Sequence, residues 1–145
     1  TLCGGGDRYA THLLKNVRSS GSGALEYVYD AEPVERVEMS SENLSAVLAG
    51  MHDLATDGAV SQYFKDCIVD AAAKTGTVQT GDTKNNNGAF VCFAPYDDPQ
   101  IAVAIVIEKG GSGAALASTA VQVLNAYFSN TSASSAITGE NTLLG

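Results

Sequence analysis

Two apolar runs, "AFVCFAPY" at 89–96 and "IAVAIVIE" at 101–108, constrain this sequence more than anything else in it. Each is too short for a typical helix, carries β-branched or aromatic residues, and borders turn formers, so each reads as a strand. The connection "PYDDPQ" is a Pro/Asp turn, which predicts an antiparallel hairpin. Neither run alternates polar with apolar residues. That pattern predicts interior strands covered on both faces, with helices packed on the sheet.

A helix suited to that packing follows at once. The segment 112–128, "SGAALASTAVQVLNAYF", sets Leu116, Ala120, Val123, Leu124, Tyr127 and Phe128 along one side, with Ser112 as N-cap after the "KGG" turn. A second helix is predicted over 41–57. There Leu44, Val47, Leu48, Met51, Leu54 and Ala55 recur at spacings of three and four, between Ser40 or Ser41 as N-cap and Gly58 as C-cap. Nearer the start, "ATHLLKNV" and "LEYVY" flank the breaker cluster "SSGSG" and predict a loose hairpin. The small, polar residues 130–145 predict a frayed tail, leaving 1–129 as the folded portion. The expected class is α+β, an antiparallel sheet with packed helices.

At 145 residues and 45% apolar content, one core and one domain are expected. The net charge of −8, from 16 acidic and 8 basic residues, provides no basic footprint for a phosphate backbone, so nucleic acid is not an expected partner. No apolar run approaches the roughly 20 residues that span a bilayer. The opening "TLCGGGDRYA" lacks the basic and apolar segments of a signal peptide.

Cys3, Cys67 and Cys92 are odd in number and far apart, against both a disulfide framework and a paired-cysteine zinc site. By itself this usage suggests a reducing environment. Cys67 in "KDCIV" and Cys92 in "FVCFA" read as small buried hydrophobes. His12 and His52 have no partner at a spacing that suggests a metal or a catalytic base, and read as ordinary surface histidines. No metal or cofactor is expected.

The stretch "AAAKTGTVQTG" at 71–81 buries too little apolar area to be explained by packing, and its Thr, Val and Gln support a third strand. Alternation puts Thr75, Thr77 and Gln79 on one face and Lys74, Gly76 and Val78 on the other. These residues serve one site only if the strand presents its edge to a cleft, where unpaired backbone is also available. Gly76 suits that arrangement because a missing side chain admits a ligand backbone, as in β-augmentation by an extended peptide. A phosphate loop fails on spacing: GxxxxGK[ST] requires glycines where the chain has Ala73 and Ile68. The second glycine cluster, "EKGGSGA", reads as a strand-to-helix turn.

The order "KTGT", polar loop, "AFVCFAPYDDPQIAVAIVIEKGG", amphipathic helix resembles the C-terminal part of the penicillin-binding protein transpeptidase domain, especially the monofunctional high-molecular-weight type. In that family the lysine-threonine-glycine strand precedes a "FxGFAPxxxPxIAVAVxxE" hairpin, a glycine-rich turn and a closing helix. "MSSENLSAVLAGMHDLATDGAV" resembles its helix ending in "GM…v…GTA", and "LCGGGDRYATHLLK" its "NGGxxxxPHLxK" stretch. The resemblance covers nearly all of the chain except the tail. It implies the penicillin-binding protein and serine β-lactamase-like fold.

The resemblance further implies roles for four residues. Lys74 would draw in the substrate carboxylate and support a proton relay, and the hydroxyls of Thr75 and Thr77 would bind that carboxylate. Gly76 would let the substrate backbone lie alongside, and the Thr77 N–H would donate to an oxyanion hole. The implied substrates are D-alanyl-D-alanine stem peptides and β-lactams. Of the family's three motifs, S-x-x-K, S-x-N and K-T-G, only the last is present. Ser41-Glu42-Asn43 matches S-x-N formally but reads as a helix cap.

The expectation is therefore a C-terminal fragment of a larger, membrane-anchored enzyme at the extracytoplasmic face of the bacterial membrane. It would be inactive alone and completed by the rest of the transpeptidase domain. Without that remainder the sheet edge would be open and stability marginal. The alternatives are a non-catalytic penicillin-recognising sensor and an α+β interaction domain with a chance triplet.

Overall fold

The computed structural model describes residues 1–79 and 86–137, with side chains described through residue 130. The chain divides into two compact units, Thr1–Ser45 and Ala46–Gly145. In the first, strand β1 (Asp7–Tyr9) pairs antiparallel with β4 (Pro33–Arg36), and β2 (Asn16–Arg18) with β3 (Leu25–Val28). The β2–β3 pair is the expected hairpin across "SSGSG", shortened because only the end of "ATHLLKNV" is strand. The outer ladder sets opposite charges face to face. Arg36 meets Asp7 at 2.6 Å and Arg8 meets Glu35 at 2.7 Å, in register across the strands. Both pairs are solvated, so each contributes no more than about 1 kcal/mol. Among residues 1–45 only Gly6 is buried, and Leu13, Leu14, Leu25, Val28 and Val34 are all exposed.

Helix α1 (Ser41–Thr56) starts as predicted, with the Ser40 hydroxyl accepting the Asn43 N–H at 3.2 Å. Its end explains Gly58: a Cβ there would lie 2.7 Å from the Leu54 Cα. The short helix α2 (Ser61–Phe64) leads into the second unit's sheet, three strands in the order β5 (Ala72–Val78), β6 (Asn87–Ala94), β7 (Ile101–Ile107), all antiparallel. The hairpin between β6 and β7 is the predicted one, closed by the Gln100 N–H on the Ala94 carbonyl at 2.9 Å.

One face of this sheet carries the core. Phe90, Cys92 and Ala94 project from β6 against Leu116, Ala117, Ala120, Leu124 and Phe128, from helix α3 (Ala117–Ile137) and the 3-10 turn Gly113–Leu116 before it. Ser112 caps that turn, its hydroxyl accepting the Ala114 N–H. The buried stripe runs through Ala117, Ala120, Val121, Leu124 and Phe128, whereas Val123 and Tyr127, expected on it, are 41% and 39% exposed. The helix also runs on to Ile137, past its expected end at 128 and into the segment expected to fray; residues 138–145 lie outside those described.

The expectation that both sheet faces are covered requires correction in part: on the face away from α3, Ala72 and Phe93 are buried but the rest is open. Val91 and Val106, on the face away from α3, are 42% and 71% exposed. β7 has no second partner strand among the described residues. The run "IAVAIVIE" is apolar on both sides, but α3 supplies a single apolar stripe and covers a single face.

His52 is also not the ordinary surface residue expected. Its Nε2 lies 2.9 and 3.0 Å from the two Asp70 carboxylate oxygens, and its ring stacks on Tyr96 at 4.3 Å. The Tyr96 N–H donates to the Asp70 carbonyl at 3.0 Å. Residues from α1, the entry to β5 and the exit of β6 thus meet two residues before the sheet begins. Asn125 of α3 holds the same approach, donating to the Asp66 carbonyl at 2.8 Å and accepting the Ile68 N–H at 2.9 Å.

Cys92 is buried and Cys67 half-buried against the core, as small hydrophobes; Cys3 is exposed. Burial pushes the Cys92 thiol from 9.0 up to about 12. An acid raised in the folded state gives up its proton on unfolding, so this contribution is complete below pH 9 and is lost as pH rises toward 12. The urea midpoint should therefore fall above about pH 9, and Cys92→Ala should flatten part of that fall. Leu124→Ala, which empties a fully buried position, should cost about 2–5 kcal/mol in urea unfolding. A loss below about 1 kcal/mol would contradict the core described above.

Candidate functional site

The residues of "KTGT" lie in the middle of β5, where the pairing fixes their directions. Lys74 is opposite Val91 and Gly76 opposite Ala89; Thr75 is opposite Phe90 and Thr77 opposite Gly88. Because side chains alternate, Lys74 and Gly76 share the open face and Thr75 and Thr77 share the face on which α3 packs. Lys74 and Thr77 are exposed and Thr75 and Gly76 half-buried. The Lys74 ammonium donates to the Thr75 carbonyl, which bends the side chain back along its own strand.

The two faces therefore communicate only around the strand's margin. β5 has that margin: it pairs with β6 on one side and with no strand on the other among the described residues. The condition under which lysine and threonine hydroxyls can serve one ligand is thus met. A shallow depression of about 140 Å³ lies not at this margin but over the paired strands β5 and β6, lined by Lys74, Thr75, Gly76, Ala89, Phe90 and Val91. Ala71, just before the strand, and Ala72 and Ala73 at its start are all buried, so the KTGT segment extends from a fixed base.

Backbone direction completes the geometry. A Cβ built on Gly113 would lie 2.3 Å from the Gly76 carbonyl oxygen, 2.9 Å from the Gly76 nitrogen and 2.2 Å from the Ala89 carbonyl oxygen. These three atoms converge between β5 and β6, so Gly76 directs its polar backbone groups inward. Successive residues of a strand direct theirs to opposite sides, which turns the N–H and C=O of Thr77 outward from the sheet. The strand thus presents an outward N–H, two hydroxyls and an ammonium within four consecutive residues, an arrangement able to bind a carboxylate and a second anionic oxygen.

A Cβ on Gly76 itself would meet only Ala89, its Cβ at 3.4 Å and its carbonyl oxygen at 3.6 Å. Packing within this chain therefore leaves room for a side chain at position 76. Among the described residues no group of three or more His, Cys, Asp and Glu could hold a metal ion. No helix there is long and apolar enough to cross a membrane.

Two features of this region escaped the sequence reading. The His52–Asp70–Tyr96 cluster joins residues 18 and more positions apart, which no local pattern announces. Gly113 was visible only as one glycine in a turn, and its contact with Gly76 exists only once α3 folds back over the sheet.

Residues 1–128 match the family described as penicillin binding protein transpeptidase domain. The chain is 33% identical over 120 residues to penicillin-binding protein 2A of Bacillus subtilis, covering 74% of this chain and 17% of that protein. It is also 33% identical over 130 residues to the peptidoglycan D,D-transpeptidase MrdA of Escherichia coli K12, covering 79% of this chain and 20% of that protein. Among solved structures it is similar to penicillin-binding protein 2B of Streptococcus pneumoniae R6, with a TM-score of 0.72 and 23% identity over 87% of this chain and 22% of that one. The chain therefore spans about a fifth of the length of the curated relatives it matches, 17% and 20%. The α+β architecture and the order of the KTGT strand, hairpin and closing helix agree with that match, and the chain belongs to the penicillin-binding protein transpeptidase family.

Proposed function

We propose that this chain forms one wall of the active site of a serine-type D,D-transpeptidase that cross-links peptidoglycan stem peptides. The observation that carries the reading is the KTGT segment on an unpaired strand margin, its backbone fixed by pairing on one side and open on the other. Lys74 supplies the positive charge that draws in the terminal carboxylate of a D-alanyl-D-alanine peptide, or the equivalent group of a β-lactam. The hydroxyls of Thr75 and Thr77 bind that carboxylate. The outward N–H of Thr77 donates to the oxygen that becomes negative when the carbonyl is attacked.

No serine in the 145 residues is followed three positions later by lysine. The nucleophile belongs to the rest of a longer, membrane-anchored protein acting at the extracytoplasmic face, and the chain alone is inactive. In the complete enzyme the serine attacks the penultimate D-alanyl carbonyl and the terminal D-alanine departs with the returned proton. An acceptor amine then attacks the ester, its acyl group is transferred to the amine, and the serine leaves with a proton from that amine. Lys74 stabilises the proton relay in both half-reactions.

The test is covalent labelling of the full-length protein with a fluorescent penicillin. The wild type should label, Lys74→Ala should label about a hundredfold more slowly, and the isolated 145-residue chain should not label. An unlabelled wild type overturns the enzymatic reading. Gly76→Ala should leave the urea midpoint within about 0.5 kcal/mol of wild type, because the site has room for a methyl group. It should nonetheless slow acylation about tenfold, because that methyl group stands where the ligand backbone approaches. Unchanged acylation would show that Gly76 is not a contact surface.

A further inference from the structure

The turn that opens α3 comes close to the KTGT backbone. A Cβ at Gly113 would lie 2.2 Å from the Ala89 oxygen and 2.3 Å from the Gly76 oxygen, distances at which no side chain fits and where both obstacles are backbone. Gly88 faces the same turn. A Cβ there would meet the Ser112 carbonyl carbon and oxygen at 3.4 Å and the Gly113 nitrogen at 3.5 Å. Glycine at 113 thus lets a loop lie directly on the β5–β6 ladder, within contact distance of Gly88.

The turn is held at its start as well. The Lys109 N–H donates to Asn87 Oδ1 at 2.9 Å, and the Gly111 N–H donates to the Asn86 carbonyl at 2.9 Å. Lys109 at φ 56 and Gly111 at φ 75 both adopt left-handed backbone, sparsely populated for a lysine, and so set the path by which the chain leaves β7. Beyond Gly113, Leu116 and Ala117 are buried and fix the other end in the core. Gly113 is therefore delivered to one place, against the carbonyl of Gly76.

That carbonyl and the Thr77 N–H belong to one planar peptide unit, so a contact that limits rotation of one limits rotation of the other. We propose that Gly113 is a positioning residue for the Gly76–Thr77 peptide. By clamping the inward carbonyl, the turn before α3 sets the direction of the outward N–H that receives the developing oxyanion. This rests on the reading of β5 as the acyl-transfer wall. It explains why the strand margin can be open to a ligand yet hold a fixed donor: its inward side is braced by backbone rather than by mobile side chains.

The experiment uses the full-length protein and fluorescent penicillin, with binding and acylation separated by stopped-flow. Gly113→Ala should lower the acylation rate constant about tenfold or more while changing ligand affinity less than about threefold. Gly88→Val, whose Cβ would only touch the same turn at 3.4 Å but whose γ methyl groups would overrun it, should show a loss in the same constant. Val121→Ala, which opens a buried position on α3, should lower thermal stability and leave the acylation constant unchanged.

Hydrogen exchange gives a readout independent of chemistry. Peptides spanning 75–79 should exchange faster in Gly113→Ala and Gly88→Val but not in Val121→Ala. If Gly113→Ala fails to fold, the Gly88→Val result decides. Wild-type acylation rates and unchanged exchange in the glycine variants would overturn the positioning role. So would a loss in Val121→Ala equal to theirs, since that would make the effect one of general stability. An unlabelled wild type would instead overturn the transpeptidase reading on which the role depends, whatever the exchange pattern.

Discussion

Phe90, Cys92 and Ala94 enter the apolar stripe of α3 from one face of β6, and the rest of the second unit is arranged around that contact. Three strands without it would be a marginal ribbon, since a small sheet needs a packed face to be stable. With it, β6 becomes a fixed spine that dictates the register of β5 on one side and β7 on the other. The contact also decides which way α3 must turn after β7. Everything that touches the candidate site, including the glycine turn and the base of β5, inherits its position from this one interface.

The approach to β5 shows how a mobile-looking stretch of small residues becomes rigid. Asp70 is held by His52 and by the Tyr96 N–H, and the preceding segment by Asn125. Ala71, Ala72 and Ala73 then pass through the core, where small side chains let the strand lie close to its neighbours. By the time the chain reaches Lys74, both ends of the entry are tied. The exposed segment can offer polar groups outward because the buried alanines before it and the β6 ladder beside it carry its fixation.

Some of this was legible in the residues. The hairpin of "AFVCFAPYDDPQIAVAIVIE", the caps at Ser40 and Ser112, and the third strand at "AAKTGTV" are local: a few neighbouring residues carry the turn chemistry, the cap or the β preference. The stripe of α3 was read only in part, because Val123 and Tyr127 lie within one residue of the buried positions and periodicity alone cannot say how wide a face the sheet will cover. The second face was expected to be covered because neither run alternates, and it is covered only around Ala72 and Phe93, because coverage depends on how many apolar elements are brought together, which no single run records. His52 looked solitary for the same reason: its partners are distant in sequence and meet it only in the fold.

By itself the sequence determined the elements and their order, and through the KTGT pattern, the hairpin and the closing helix it determined the family. Those properties follow from short-range preferences and from spacing along one dimension. Only the tertiary structure decided that β5 lies at a margin, that Thr77 directs its N–H outward, and that Gly113 presses on the Gly76 carbonyl. The glycine in "SGAA" is indistinguishable in sequence from any turn glycine. Its role comes from a steric limit between two backbones, 37 positions apart in the chain, that approach closely only after α3 has packed on the sheet.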